Sequence, residues 1–201
     1  MKKISIVTSK KYVKSKHYET LIEILKSNGN EFDVVNIDEK ENQNLIIEKS
    51  NLLISVGGDG TALRAMKIAW LSNLPVLNIG SGRIGYLVNS LNEIDFPKFL
   101  TNKKLDNIKK RTPVIQNGDE SLPAFNEIVI IKNSPTRILD VELEVYDQNV
   151  KLRADGIIIS TSLGSTAYNY SAGGPIVQTS LETMIITPIS PFTKFPRSIV
   201  V

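Results

Sequence analysis

Leu52-Leu53-Ile54-Ser55-Val56-Gly57-Gly58-Asp59-Gly60-Thr61 is the stretch that decides the fold. Its first five residues read as a buried strand, and residues 61–71 carry Leu63, Met66 and the run 68–70 at helical spacing. Between them, three glycines surround one carboxylate. A strand that passes into a helix through glycine lets a ligand approach the backbone closely. The helix that follows opens with unbonded N–H groups and the positive end of its dipole, which suit phosphate. A carboxylate repels phosphate, so Asp59 calls for a different job: taking the proton of a hydroxyl as that hydroxyl is phosphorylated. Read alone, the pentapeptide also fits a plain strand–loop–helix turn.

On either side of this stretch, residues 4–7 and 32–35 read as strands, residues 18–26 as a helix on Leu21, Ile22 and Leu25, and residues 75–77 as the start of another strand. Alternation of this kind predicts a parallel sheet with helices on its faces. Ligands of such sheets sit beyond the carboxyl ends of strands, where Gly57, Gly58 and Gly60 fall. After about residue 107 the pattern changes. Residues 138–146 alternate strictly, with Val141, Leu143 and Val145 on one face and Asp140, Glu142 and Glu144 on the other, as in a half-buried antiparallel strand. Residues 125–131, 156–161 and 184–189 add strands, with little helix besides 165–171. The expectation is an α/β N-terminal domain over residues 1–105 and a β-rich, sandwich-like C-terminal domain over 106–201, joined at the polar, lysine-rich stretch 103–108.

Composition narrows the function classes. The 201 residues are 41% hydrophobic and 22% charged with a net charge of +3, as in an ordinary globular chain. The basic residues are dispersed, without the aromatic-interleaved stripe of a nucleic-acid binder. Absence of cysteine removes disulfides, thiolate nucleophiles and cysteine-bound zinc. The apolar runs are too short to cross a bilayer, and no signal-peptide pattern opens the chain, so a cytoplasmic protein is expected. His17, the only histidine, reads as a surface helix residue, and Trp70 as core packing.

A second segment carries more information. Asp155-Gly156-Ile157-Ile158-Ile159-Ser160-Thr161 leads to Gly164-Ser165-Thr166-Ala167-Tyr168 and then Ser171-Ala172-Gly173-Gly174-Pro175. With Asn126-Glu127, Gly82-Arg83-Ile84-Gly85-Tyr86 and the Gly57 loop, these blocks resemble the NAD kinase family in identity, order and spacing. The resemblance implies phosphorylation of the 2′-hydroxyl on the adenosine ribose of NAD, giving NADP. It makes Asp59 the general base, and Gly57, Gly58, Asp59 and Gly60 the phosphate loop. Arg64, one turn into the helix, is a candidate phosphate contact, beside the reading of a solvent-facing arginine.

By the same resemblance Asn126 and Glu127 hold adenine and ribose; an amide donates and accepts at a base edge, and a carboxylate accepts from vicinal hydroxyls. Arg153 and Asp155 match positions near the nicotinamide half. Thr166, Ala167, Tyr168 and Ser171 match residues closing around the adenosine, and Tyr86 stands for the family's aromatic wall. Arg137 lies where relatives place a basic residue near a neighbouring subunit's nucleotide. The dinucleotide is expected between the two domains without a Gly-x-Gly-x-x-Gly fingerprint after the first strand. Mg²⁺ or another divalent cation is expected on the phosphates of the donor, ATP or polyphosphate, with no dedicated metal site.

The chain departs from the family pattern in four places. Leu163 replaces a hydroxyl that can face the adenine, Gly80 stands where members often carry Asn, and Phe192 stands where many carry His. Members also continue past the point matching Val201, so the chain reads as shortened, and a homodimer or homotetramer is expected to cover the open edge. Two rivals remain at this point: a lipid or sugar kinase sharing only the glycine–aspartate loop, and a non-catalytic NAD(H)-binding subunit.

Overall fold

A computed structural model describes residues 3–39, 47, 49–81, 85–101, 108–192 and 196–201. The chain separates into two compact units, Met1–Lys109 and Lys110–Val201. Of the stretch 103–108, where the sequence places the junction, residues 103–107 lie outside the described residues.

The first unit is built on four parallel strands in the order β2-β1-β3-β4. These are β1 (Ile4–Thr8), β2 (Phe32–Asn36), β3 (Leu52–Gly57) and β4 (Val76–Gly80). Every residue of β1 and β3 is buried. That is the signature of central parallel strands covered on both faces, and it explains why they read as continuous apolar runs. Alternate side chains serve opposite faces. Ile4, Ile6, Leu52, Ile54 and Val56 pack with Leu21 and Leu25 of helix α1 (Lys16–Ser27) and with Phe96 of the short helix α3 (Phe96–Thr101). Val7 and Leu53 pack with Ala65 and Ala69 of helix α2 (Asp59–Leu71). Ser15 caps α1 by accepting the Tyr18 N–H at 3.3 Å.

Two expectations are corrected in α2. The helix begins at Asp59, two residues earlier than read, with Gly58 in extended conformation as its N-cap. Its buried face is Thr61, Ala62, Ala65, Met66 and Ala69; Met66 and Ala69 belong to the set read from the sequence, while Leu63 and Trp70 of that set are only half-buried. Small residues let this helix lie close on the sheet. The chain leaves β1 toward β2 on one side and returns as β3 on the other, so the ends of β1 and β3 form the topological switch point. Gly57 to Gly60 sit there.

The second unit holds the antiparallel sheet β10-β9-β8-β5 and a separate hairpin, β6-β7. The strands are β5 (Glu127–Ile131), β6 (Leu139–Val145), β7 (Gln148–Ala154), β8 (Gly156–Thr161), β9 (Met184–Ile189) and β10 (Ile199–Val200). Along β6 exposed and half-buried residues alternate, matching the charge alternation of the sequence. Strand β5 is an edge, and its Val129, Ile130 and Ile131 are exposed. After β8 come a 3₁₀ turn (Leu163–Thr166) and the four-residue helix α4 (Tyr168–Ser171). Among the described residues no helix is long and apolar enough to cross a membrane.

Candidate active site

The end of β3 presents Asp59 in the first turn of α2, behind an N-cap glycine that offers no side chain to the helix. The Asp59 carboxylate is held from outside the helix. Its Oδ2 accepts the Tyr86 N–H at 3.1 Å and its Oδ1 accepts the Leu87 N–H at 3.0 Å. Gly85 passes so close that a Cβ there would lie 2.4 Å from Asp59 Oδ1. Tyr86 itself is 83% exposed. The remaining residues of its predicted motif, Gly82, Arg83 and Ile84, lie outside the described residues. Arg64 is engaged elsewhere: Nη1 meets Asp38 Oδ1 at 3.0 Å and Nη2 donates to the Ile37 carbonyl, just beyond β2.

In the second unit, Asn126 precedes β5 and Glu127 opens it, beside the turn that leads into α4. The Asn126 carbonyl accepts the Thr161 N–H at 2.9 Å, and the Phe125 carbonyl accepts Thr161 Oγ1 at 2.6 Å. Gly164 crosses this point, and a Cβ on it would lie 2.2 Å from the Asn126 carbonyl oxygen. Only glycine permits that crossing, because backbone cannot swing aside. Glu127 accepts the backbone N–H of Tyr168, yet its Oε2 is buried without a partner. Burial pushes the Glu127 carboxyl above the usual carboxylate range, partly offset by the Tyr168 N–H.

The 3₁₀ turn and α4 are anchored by Asn169, which the sequence reading passed over. Fully buried, its Nδ2 donates to the Ser165 and Pro175 carbonyls at 3.1 and 3.0 Å, and its Oδ1 accepts Thr187 Oγ1 at 2.7 Å. A polar residue between two tyrosines, four positions after a serine, was the available signal. Thr166 and Ala167 are half-buried on this turn, while Tyr168 and Ser171 are exposed.

The predicted nicotinamide-side residues fall near β7 and β8. Asp155 pairs with Lys132 at 2.5 Å, a partner that only the β5–β8 register supplies. Arg153 Nε pairs with Asp140 at 2.9 Å, and its guanidinium lies 5.8 Å from the Phe192 ring. Arg137, Arg153 and Phe192 line an open recess of about 460 Å³ with Thr136 and Ile138. A larger cavity of about 750 Å³, lined by Phe125, Leu143, Val145, Ile159 and Ile186 among others, involves none of the residues predicted to hold nucleotide.

Fold and site together define a class of chain: a Gly-Gly-Asp-Gly turn at the switch point of a parallel sheet, followed by an antiparallel-sheet unit with a Gly-rich turn crossing an Asn-Glu pair. Comparison with known proteins narrows the class. Residues 2–106 match the ATP-NAD kinase N-terminal domain family, and residues 125–201 match the ATP-NAD kinase C-terminal domain family. The chain belongs to the NAD kinase family.

It is 39% identical over 155 residues to the NAD kinase of Methanothermobacter thermautotrophicus, across 76% of this chain and 55% of that one. It is 39% identical over 189 residues to the NAD kinase of Caldicellulosiruptor saccharolyticus, across 90% of this chain and 69% of that one. The chain thus spans little more than half the length of the first relative. A crystal structure of an NAD kinase from Archaeoglobus fulgidus in complex with ATP superposes with a TM-score of 0.75 at 29% identity, covering 99% of this chain and 76% of that one. Yeast NADH kinase complexed with NADH shares the fold at a TM-score of 0.75 and 22% identity, with 100% of this chain and 69% of that one covered.

Proposed function

We propose that this chain phosphorylates NAD to NADP with ATP as donor. The observation that carries the proposal is the match to both NAD kinase domains in one chain. The Asp59 carboxylate held at the open N-terminus of α2 supports it.

In this reading the 2′-oxygen of the adenosine ribose attacks the γ-phosphorus of ATP. The bond from that phosphorus to the β–γ bridging oxygen breaks, ADP leaves, and the hydroxyl proton passes to Asp59. The N-terminus of α2 and the Gly57–Gly58–Gly60 backbone receive phosphate. The unpartnered Glu127 Oε2 accepts from a ribose hydroxyl, which supplies the bond it lacks. Asn126 and the turn of Thr166, Ala167, Tyr168 and Ser171 take the adenosine, with Tyr86 as an aromatic wall. Asp155 accepts from the nicotinamide carboxamide once Lys132 shares it, and Arg153 flanks it. Arg64 meets a phosphate only by giving up Asp38. Arg137 remains a candidate contact to a nucleotide.

Among the described residues no three His, Cys, Asp or Glu side chains gather as a metal cage. In the proposed reaction the divalent cation arrives on the phosphates of ATP. The exposed apolar edge of β5 supports a homodimer or homotetramer, which light scattering tests. A cytoplasmic location goes with a reaction that draws on NAD and ATP.

The deciding experiment incubates the protein with NAD, ATP and Mg²⁺ and reads NADP with an NADP-specific dehydrogenase. Time-dependent NADP formation is expected. Binding of NAD without turnover would favour the non-catalytic alternative.

A further inference from the structure

We propose that the backbone turn at Gly85, Tyr86 and Leu87 is a clamp that aims the Asp59 carboxylate for proton transfer, and that Gly85 is the residue that makes the clamp possible. The proposal rests on the reading of Asp59 as the proton acceptor.

An aspartate in the first turn of a helix is ordinarily free about its terminal torsion, whose energy profile is broad. Here two consecutive amides bind different oxygens of the same carboxylate, at 3.1 and 3.0 Å. Rotation about that torsion breaks both bonds together, so the pair fixes the plane of the carboxylate as well as its place. A carboxylate has about four lone-pair sites on its two oxygens. The clamp uses one on each and leaves the others for an incoming hydroxyl. A base held in its working geometry before substrate arrives removes an orientation cost from the reaction, and a displacement of about 1 Å is worth roughly a hundredfold in rate.

Gly85 is what lets the two amides come this close. A Cβ there would stand 2.4 Å from Asp59 Oδ1, 3.1 Å from its Cγ and 2.9 Å from Val88 Cγ2. Gly85 does not occupy the left-handed region, so alanine fits the backbone. Its methyl group therefore acts first on the carboxylate and on Val88, which supply its three nearest atoms. Gly85 touches no reacting atom; it is a positioning residue acting through Asp59.

The test compares wild type, Gly85→Ala, Gly85→Ala/Val88→Ala, Asp59→Asn and Gly85→Ala/Asp59→Asn, at a temperature where each is folded by thermal scan. NAD, ATP and Mg²⁺ are the probes, with kcat and KM read through NADP. Gly85→Ala should lower kcat about ten- to a hundredfold with KM for NAD within about threefold. Relief at Val88 should not restore it. In the Asp59→Asn background the same alanine should cost less than about twofold, because the group it displaces no longer takes the proton. A folded Gly85→Ala with kcat within twofold of wild type overturns the clamp, as does an equal loss in the Asp59→Asn background. A wild type that makes no NADP overturns the functional reading instead. A measurement independent of activity covers that outcome and any failure of Gly85→Ala to fold: the amide ¹H–¹⁵N resonances of Tyr86 and Leu87 in wild type and Asp59→Asn. Both should shift upfield in the variant, and unmoved resonances also overturn the clamp.

Discussion

Asp59→Asn preserves the size of the side chain and discards half of its hydrogen-bonding. Asp59 presents two acceptor oxygens to two backbone donors, the N–H groups of Tyr86 and Leu87. Asparagine brings one oxygen and one NH₂, so in either orientation one loop N–H faces another donor. A buried donor left unpaired costs about 1–3 kcal/mol. Asp59 is only half-buried and water takes over part of the loss, so the lower end, about 1 kcal/mol, is expected. For a unit of this size that lowers the unfolding temperature by about 4–8 °C.

The kinetic loss should be larger. General-base assistance is commonly worth about 10²–10⁴ in rate, and turnover should fall by that range. KM for NAD should change by no more than a few-fold, since proton transfer is felt in the transition state and not in ground-state binding. Initial rates over a series of NAD concentrations, beside a thermal scan, measure both. Turnover within tenfold of wild type would remove Asp59 from proton transfer. An unchanged unfolding temperature would mean that the loop amides gain nothing from the carboxylate. Lost NAD binding with turnover kept at saturation would make Asp59 a group that seats the substrate, with the proton leaving by another route.

Other expectations follow from the second unit. Glu127→Gln should weaken NAD binding while raising the unfolding temperature near pH 8. The folded-state pKa of Glu127 is raised, so its contribution to stability is present below the ordinary carboxyl pKa of about 4.3 and is lost as pH rises through the folded value. The gain in the variant should therefore shrink toward pH 4, as a series of thermal scans will show. Asn169→Ala removes three buried hydrogen bonds and should cost about 2–4 kcal/mol in denaturant unfolding. Gly164→Ala sets a Cβ 2.2 Å from a backbone oxygen, so calorimetric titration should find NAD binding lost together with stability.

Much of the fold was legible because burial imposes period. Residues 156–161 and 184–189 were read as strands and are β8 and β9 with the same limits. Strands β1 and β3 announced themselves as apolar runs because helices cover both faces. What escaped is set by distant partners. Nothing local to residues 127–131 says that β8 is their only neighbour among the described strands, so their exposure as an edge was not readable. The buried face of helix α2 was read only in part, with Met66 and Ala69 found and Ala62 and Ala65 missed. Large residues dominate a periodicity count, whereas close contact with the sheet selects Ala62, Ala65 and Ala69. The site divides the same way. Asp59, Glu127 and Asp155 stood out as acids in apolar or glycine-rich surroundings, but the amides that hold Asp59 and the ammonium that meets Asp155 come from 23 to 28 residues away.

Hydrogen-bond satisfaction separates scaffold from site among these polar residues. Thr161, Ser165, Asn169 and Thr187 are buried, and each makes a bond to the protein itself. Such groups hold a turn in place and have little to offer a ligand. Glu127 is different: its Oε2 is buried, carries no bond, and belongs to a carboxyl that burial already disfavours in its charged form. Folding keeps this orphan although an apolar residue would avoid its cost. A hydroxyl donor supplied from outside the chain removes the deficit, and a ribose carries two such donors side by side. Asp59 is the intermediate case, with one bond on each oxygen for position and lone pairs left over for chemistry. The two acids thus differ in the bonds the protein gives them, and in the proposed function that difference suits Glu127 to binding the ribose and Asp59 to taking the proton.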